Sequence, residues 1–118
     1  MKLRAILLAV VLMAAMDSTC VVHAQAGTKH IEITAKRFNF TPSDVTLKKD
    51  QPVVIVLRSE DVAHGLRFQE LGIELKADKG KADEISFTPT KVGVFTGKCS
   101  VFCGSGHGQM KLTLHVVE

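Results

Sequence analysis

Four residues with soft or borderline donor atoms crowd into one short stretch near the end of the chain. The run is Cys99-Ser-Val-Phe-Cys103-Gly-Ser-Gly-His107-Gly-Gln-Met110, a C-x3-C-x3-H-x2-M spacing. Two thiolates, an imidazole and a thioether suit copper far better than magnesium or calcium. Zinc also accepts cysteine and histidine, but this spacing does not match a zinc finger. One short loop cannot surround a metal, so a further ligand must come from elsewhere. His64 is the candidate, in Ser59-Glu-Asp-Val-Ala-His64-Gly65, just after an aliphatic run. Cys99 and Cys103 alone would read as a disulfide in an exported chain. With His107, Met110 and His64 in register, the metal reading takes precedence. Met110 shares the parity of Leu112 and Leu114, which suits a core residue, yet its spacing from His107 suits a ligand.

These residues need a scaffold, and the periodicity predicts strands. Ile31, Ile33 and Ala35 alternate with polar neighbours, as do Val45 and Leu47, Ile85 and Phe87, and Leu112, Leu114 and Val116. Val53 to Leu57 is an unbroken β-branched and aliphatic run, fitting a strand buried on both sides. Val92 to Gly97 reads as another strand. Turn chemistry falls at Asn39 with Thr41-Pro42-Ser43, at Asp50-Gln51-Pro52, at Lys79-Gly80-Lys81 and at Pro89-Thr90-Lys91. Gln69 to Ala77 fits a helical turn or a short strand. Short strands at regular spacing predict an all-β sandwich or small barrel. Phe38, Phe40, Phe68, Phe87 and Phe95 are expected in its core. Phe102, inside the ligand loop, is expected at an apolar rim, and His30 and His115 on the exposed phase of their strands.

The N-terminal segment reads differently. Lys2 and Arg4 precede a continuous apolar run, Ala5 to Met16, ended by Asp17. That run is too short to span a bilayer and matches the apolar part of an export signal. Ala24-Gln25-Ala26 supplies small residues for cleavage, giving a signal peptide over 1–26 and one domain over 27–118; cleavage after Ala24 is the near alternative. Cys20 would anchor a lipoprotein, but Asp17-Ser18-Thr19 before it lack the apolar residue such a site carries, so it is expected to leave with the signal. No second apolar stretch reaches spanning length. Residues 1–26 hold two of the 15 basic and one of the 12 acidic residues, leaving a net charge of +2. So balanced a surface does not suggest nucleic-acid binding. The expectation is a soluble, extracytoplasmic or periplasmic monomer.

Residues 59–68 together with 97–110 resemble the dinuclear copper A (CuA) domain of cytochrome c oxidase subunit II, and are similar to that of nitrous oxide reductase. The likeness covers about residues 30–118, including Lys49-Asp50-Gln51-Pro52 and Gly93-Val94-Phe95. It implies a cupredoxin-like Greek-key β-sandwich or barrel with two copper ions. It further implies that the Cys99 and Cys103 thiolates bridge the ions, that His64 binds one and His107 the other, and that Met110 and the Val101 carbonyl are weak ligands. Such a core would carry a charge of about +1, falling to about 0 on reduction, which is cheaper to bury than an isolated ion.

The chain departs from the family in three ways. No membrane hairpin is expected. There is no tryptophan or tyrosine, so the aromatic residue through which electrons enter those subunits is absent. Val101 replaces a glutamate whose side chain, in the family, joins a magnesium site shared with the catalytic subunit. The leading expectation is an electron-transfer module exchanging electrons with a redox protein, such as a c-type cytochrome or an oxidase, and not itself an enzyme. A detached subunit II-like component of a terminal oxidase, or a copper delivery or storage protein, are the alternatives. The partner is expected to dock over the ligand loop, with Arg67, Lys98 and Lys111 as charged neighbours.

Overall fold

In the computed structural model the described residues are 28–118, so the expected signal peptide lies outside them. Among these residues nine strands form two sheets. The first has the order β2 (Asn39–Thr41), β1 (Lys29–Lys36), β4 (Val53–Ser59), β7 (Ala82–Phe87). The second has the order β3 (Asp44–Lys48), β9 (Lys111–Val117), β8 (Gly93–Lys98), β5 (His64–Phe68), β6 (Ile73–Ala77). β1 and β4 run parallel, as do β3 and β9; the remaining pairs are antiparallel.

The alternation seen in the sequence decides which face each strand turns inward. In β1, Ile31, Ile33 and Ala35 are buried while Lys29, His30, Glu32 and Lys36 are exposed. In β9, Leu112, Leu114 and Val116 are buried. β4 lies between β1 and β7, and its aliphatic run is buried at Val53, Ile55, Val56 and Leu57. Phe40, Phe68 and Phe95 are buried with them, whereas Phe38 and Phe87 are partly buried against the core.

Three expectations are refined. Asn39 and Thr41 read as turn residues, yet Asn39–Thr41 is a short strand at the sheet edge, pairing with β1. Edge strands tolerate poor strand formers because only one side must pair. Gln69 to Ala77 holds both alternatives in succession, a 3-10 turn at Gln69–Leu71 and then β6, with Gly72 at φ 66 between them. His64 is the first residue of β5 rather than part of a loop. The 60–63 loop before β5 and the 99–110 loop between β8 and β9 lie together, because β5 and β8 are neighbours in the second sheet.

Candidate metal centre

The two segments that carry donor atoms are pressed together at Gly65. A Cβ there would overlap Ser100 Oγ and come within 3.2 Å of Ser100 Cβ and a Val101 methyl, so the glycine permits this close approach. That approach puts His64 beside Cys99. The Cys99 and Cys103 sulfurs are 3.6 Å apart, and both cysteines are free and buried. His64 Nδ1 lies 3.9 Å from Cys99 Sγ, and His107 Nδ1 lies 3.7 Å from Cys103 Sγ. Met110 Sδ is 3.8 Å from Cys103 Sγ, and the Val101 carbonyl accepts from Cys99 Sγ at 3.1 Å. All six sequence-predicted residues therefore converge. His64 and Met110 are each 0% exposed, and His107 is half-buried. His30 and His115 lie elsewhere; His115 bonds Asp44 at 3.0 Å.

The loop geometry follows from local bonds. Cys99 N–H donates to the Met110 carbonyl at 3.2 Å, closing the loop at its base. A 3-10 turn at His107–Gln109 then points His107 back toward Cys103. Gly104 has φ 137, and a Cβ on it would fall 2.9 Å from the Phe38 ring. Phe38 thus packs directly on the loop backbone.

Two residues that the sequence reading left without a role organise the site. Asp61 Oδ1 accepts from His64 Nε2 at 2.7 Å. This fixes the imidazole with its proton on Nε2 and its lone pair on Nδ1, the atom facing Cys99. Burial raises the Asp61 carboxyl pKa, but the Arg37 N–H, the His64 ring and the Val62 N–H outweigh it, lowering the pKa to about 2. Asp61 is therefore a full carboxylate at neutral pH. Arg37 is the second. Its backbone N–H donates to Asp61 Oδ2 at 2.8 Å, and its Nε donates to the Cys103 carbonyl at 2.7 Å. One residue of the β1–β2 connection thereby ties both ligand segments together. Asp61 sits three residues before His64, a spacing that could have signalled it; Arg37 is far from both segments in sequence and gave no signal.

The donor set fits copper. It offers two thiols, two imidazole nitrogens, a thioether and a carbonyl in a buried cluster, with His64, Cys99 and Cys103 donor atoms all within 4.8 Å of one another. Burial, together with the hydrogen bond and charge of Cys99, pushes the Cys103 thiol up to about 11, against an opposing pull from Arg37. A metal binding here must displace that proton.

Comparison with known proteins agrees with this geometry. The family model for the periplasmic domain of cytochrome c oxidase subunit II matches residues 12–117. Cytochrome c oxidase subunit 2 of Vanderwaltozyma polyspora is 34% identical over 78 residues, covering 66% of this chain and 31% of that protein. The chain thus aligns with about a third of that curated relative. The periplasmic domain of subunit II of cytochrome oxidase (CoxB) of Bradyrhizobium japonicum superposes with a TM-score of 0.70 at 22% identity, over 76% of this chain and 84% of that one. Auracyanin A, a blue copper protein of Chloroflexus aurantiacus, gives 0.65 at 20% identity over 77% and 100%, a likeness of fold. The metal-binding domain of the Streptococcus pneumoniae Cu(I)-exporting ATPase CopA gives 0.65 at 25% identity over 80% and 90%. Sequence, fold and the convergence of the donor atoms lead to one conclusion: the chain belongs to the family of cytochrome c oxidase subunit II periplasmic domains, and is a CuA-type cupredoxin of extracytoplasmic location.

Proposed function

We propose that this domain is a one-electron relay built on a dinuclear copper centre. Two copper ions would be held by the Cys99 and Cys103 thiolates and by Nδ1 of His64 and of His107, with Met110 Sδ and the Val101 carbonyl as weak donors. The observation that supports this most is the pair of free, buried sulfurs 3.6 Å apart, each with its own imidazole nitrogen within 4 Å. Copper bound there supplies a centre that accepts and releases one electron without making or breaking a covalent bond. The protein's own part is to hold the donors still. Asp61 fixes His64, Arg37 ties the Cys103 backbone to Asp61, and the sheets hold both segments. Phe102 is 79% exposed, with its ring centroid 5.6 Å from that of His107. It gives the His107 side of the loop an apolar surface for a redox partner.

The partner is a redox protein such as a c-type cytochrome or an oxidase component. The described residues contain no helix long and apolar enough to cross a membrane. Cleavage after residue 26 would release the domain in soluble, monomeric form. In this reading the donors serve metal binding and electron transfer, and the site carries no catalytic step.

A reductive titration of the copper-loaded protein tests it. One electron per chain, taken up reversibly, is the expected result. Two independent electrons would indicate separate sites. A copper delivery or storage role has one point in favour, the likeness to the Cu(I)-exporting ATPase domain. It would show instead as Cu(I) that a chelator strips quickly, with no stable half-oxidised state.

A further inference from the structure

The second sheet carries a row of like charges on the rung beside the metal loop. The register sets Lys98 of β8 opposite Lys111 of β9 on one side and Arg67 of β5 on the other. Residues directly opposite share a face, with Cβ atoms about 4.5–5.5 Å apart, and like charges so placed destabilise a sheet. All three side chains are exposed. On β6, Glu74 lies opposite Arg67, but Lys76 holds its carboxylate at 3.3 Å and Arg67 stands 3.9 Å away. On the other edge, Asp44 of β3 is opposite Thr113 and bonded to His115. Lys98 and Lys111 have no ion-pair partner among the described residues. Lys98 immediately precedes Cys99 and Lys111 immediately follows Met110. A groove of about 560 Å³ lies beside Lys98 and Arg67, lined also by Gln69, Glu70, Thr96 and Ser100 and reaching Cys99; Lys111 stands outside it.

We infer that Lys111, Lys98 and Arg67 form the docking rung for a one-electron donor protein whose contact face is acidic. This rests on the electron-relay reading above. The charge is local: outside residues 1–26 the net charge is only +2, and three adjacent strands span about 10 Å. That is the footprint of a cluster of carboxylates on a folded partner rather than of a nucleic-acid backbone. Steering charges next to the ligands bring the partner's redox group to the loop in one orientation and raise the association rate. In the step itself, one electron leaves the reduced donor and reduces the metal centre. The donor is oxidised by one, and no proton or group moves.

Stopped-flow electron exchange of the oxidised, copper-loaded protein tests this. Reduced c-type cytochromes with an acidic and with a lysine-rich contact face serve as protein donors. Hexacyanoferrate(II) and hexaammineruthenium(II) serve as anionic and cationic controls. The acidic cytochrome should react faster than the basic one, and its rate should fall roughly tenfold between 10 and 200 mM salt as the charges are screened. Lys98→Gln with Lys111→Gln and Arg67→Gln should remove most of that salt dependence. The copper absorption should stay unchanged, and the melting temperature should shift little, because relief of the Lys98–Lys111 repulsion is offset by loss of the Arg67–Glu74 pair. Equal, salt-independent rates with both cytochromes, or preference for the basic one, would overturn the docking proposal while leaving the relay intact. Binding to phosphatidylglycerol vesicles in preference to the acidic cytochrome would overturn it in favour of a membrane surface. No exchange with any of the four donors would overturn the relay reading itself, and the proposal with it.

Discussion

At the scale of single residues, four candidate donor side chains share one short loop and a fifth, His64, reaches them from the start of β5. Cys99, Cys103, His107 and Met110 announce themselves by type and interval, and His64 by its place after a buried strand. Asp61 was legible only in part: it lies in the same loop, but a carboxylate there reads equally as a solvated loop residue until the structure shows its 2.7 Å contact with His64. Partners that orient a ligating histidine matter nearly as much as the ligand, and their loss typically costs about 10–100-fold in metal affinity. Asp61→Ala should therefore weaken copper binding by about that factor in a chelator competition. Asp61→Asn should recover part of the loss, because its amide oxygen can still accept from Nε2. Unchanged affinity in Asp61→Ala would remove Asp61 from the account of the site.

At the scale of elements, strands with a two-residue period were read well and the short or punctuated ones were not. β1 and β9 have one face in the core, so their pattern is forced. β2 is three residues on an edge, dominated by turn formers, and its pairing with β1 is decided by tertiary contact rather than by propensity. Arg37 escaped notice for the same reason: its two bonds to the site span 24 and 66 residues of sequence. The β5–β6 edge carries a pH signature. Desolvation raises the Glu74 carboxyl, but the Lys76 and Ser100 hydrogen bonds, with the charges of Lys76 and Arg67, outweigh it and hold the group below its ordinary 4.5. A depressed folded pKa stabilises the fold above the unfolded value, and that contribution fades as pH falls through the folded one. Glu74→Gln should thus lower the stability of the metal-free protein at pH 7. The loss should stay below about 1 kcal/mol, since the pairs are at the surface. Denaturant unfolding of the two proteins should differ at pH 7 and converge below pH 4.5. A constant gap across that range would mean that packing, not charge, is responsible.

At the scale of the whole molecule, two sheets present two loops at one end, and the chemistry of the chain is concentrated there. The β-sandwich was foreseeable from strand number and turn spacing, because a chain of this size has room for only one core. The three cations beside the loop, Arg67, Lys98 and Lys111, were named from the sequence, but their alignment on one rung comes only from the strand register. The amino-terminal reading has its own test. N-terminal sequencing of the exported protein should begin at Gly27 or Gln25. An intact Met1 on membrane-bound protein, or a lipidated Cys20, would contradict it. The central claim is that two copper ions share one unpaired electron across Cys99 and Cys103. The electron paramagnetic resonance spectrum of the reconstituted, oxidised protein, taken with its copper-to-protein ratio, addresses that claim most directly. The account predicts two coppers per chain and hyperfine splitting from two equivalent nuclei; one copper per chain with splitting from a single nucleus would contradict it.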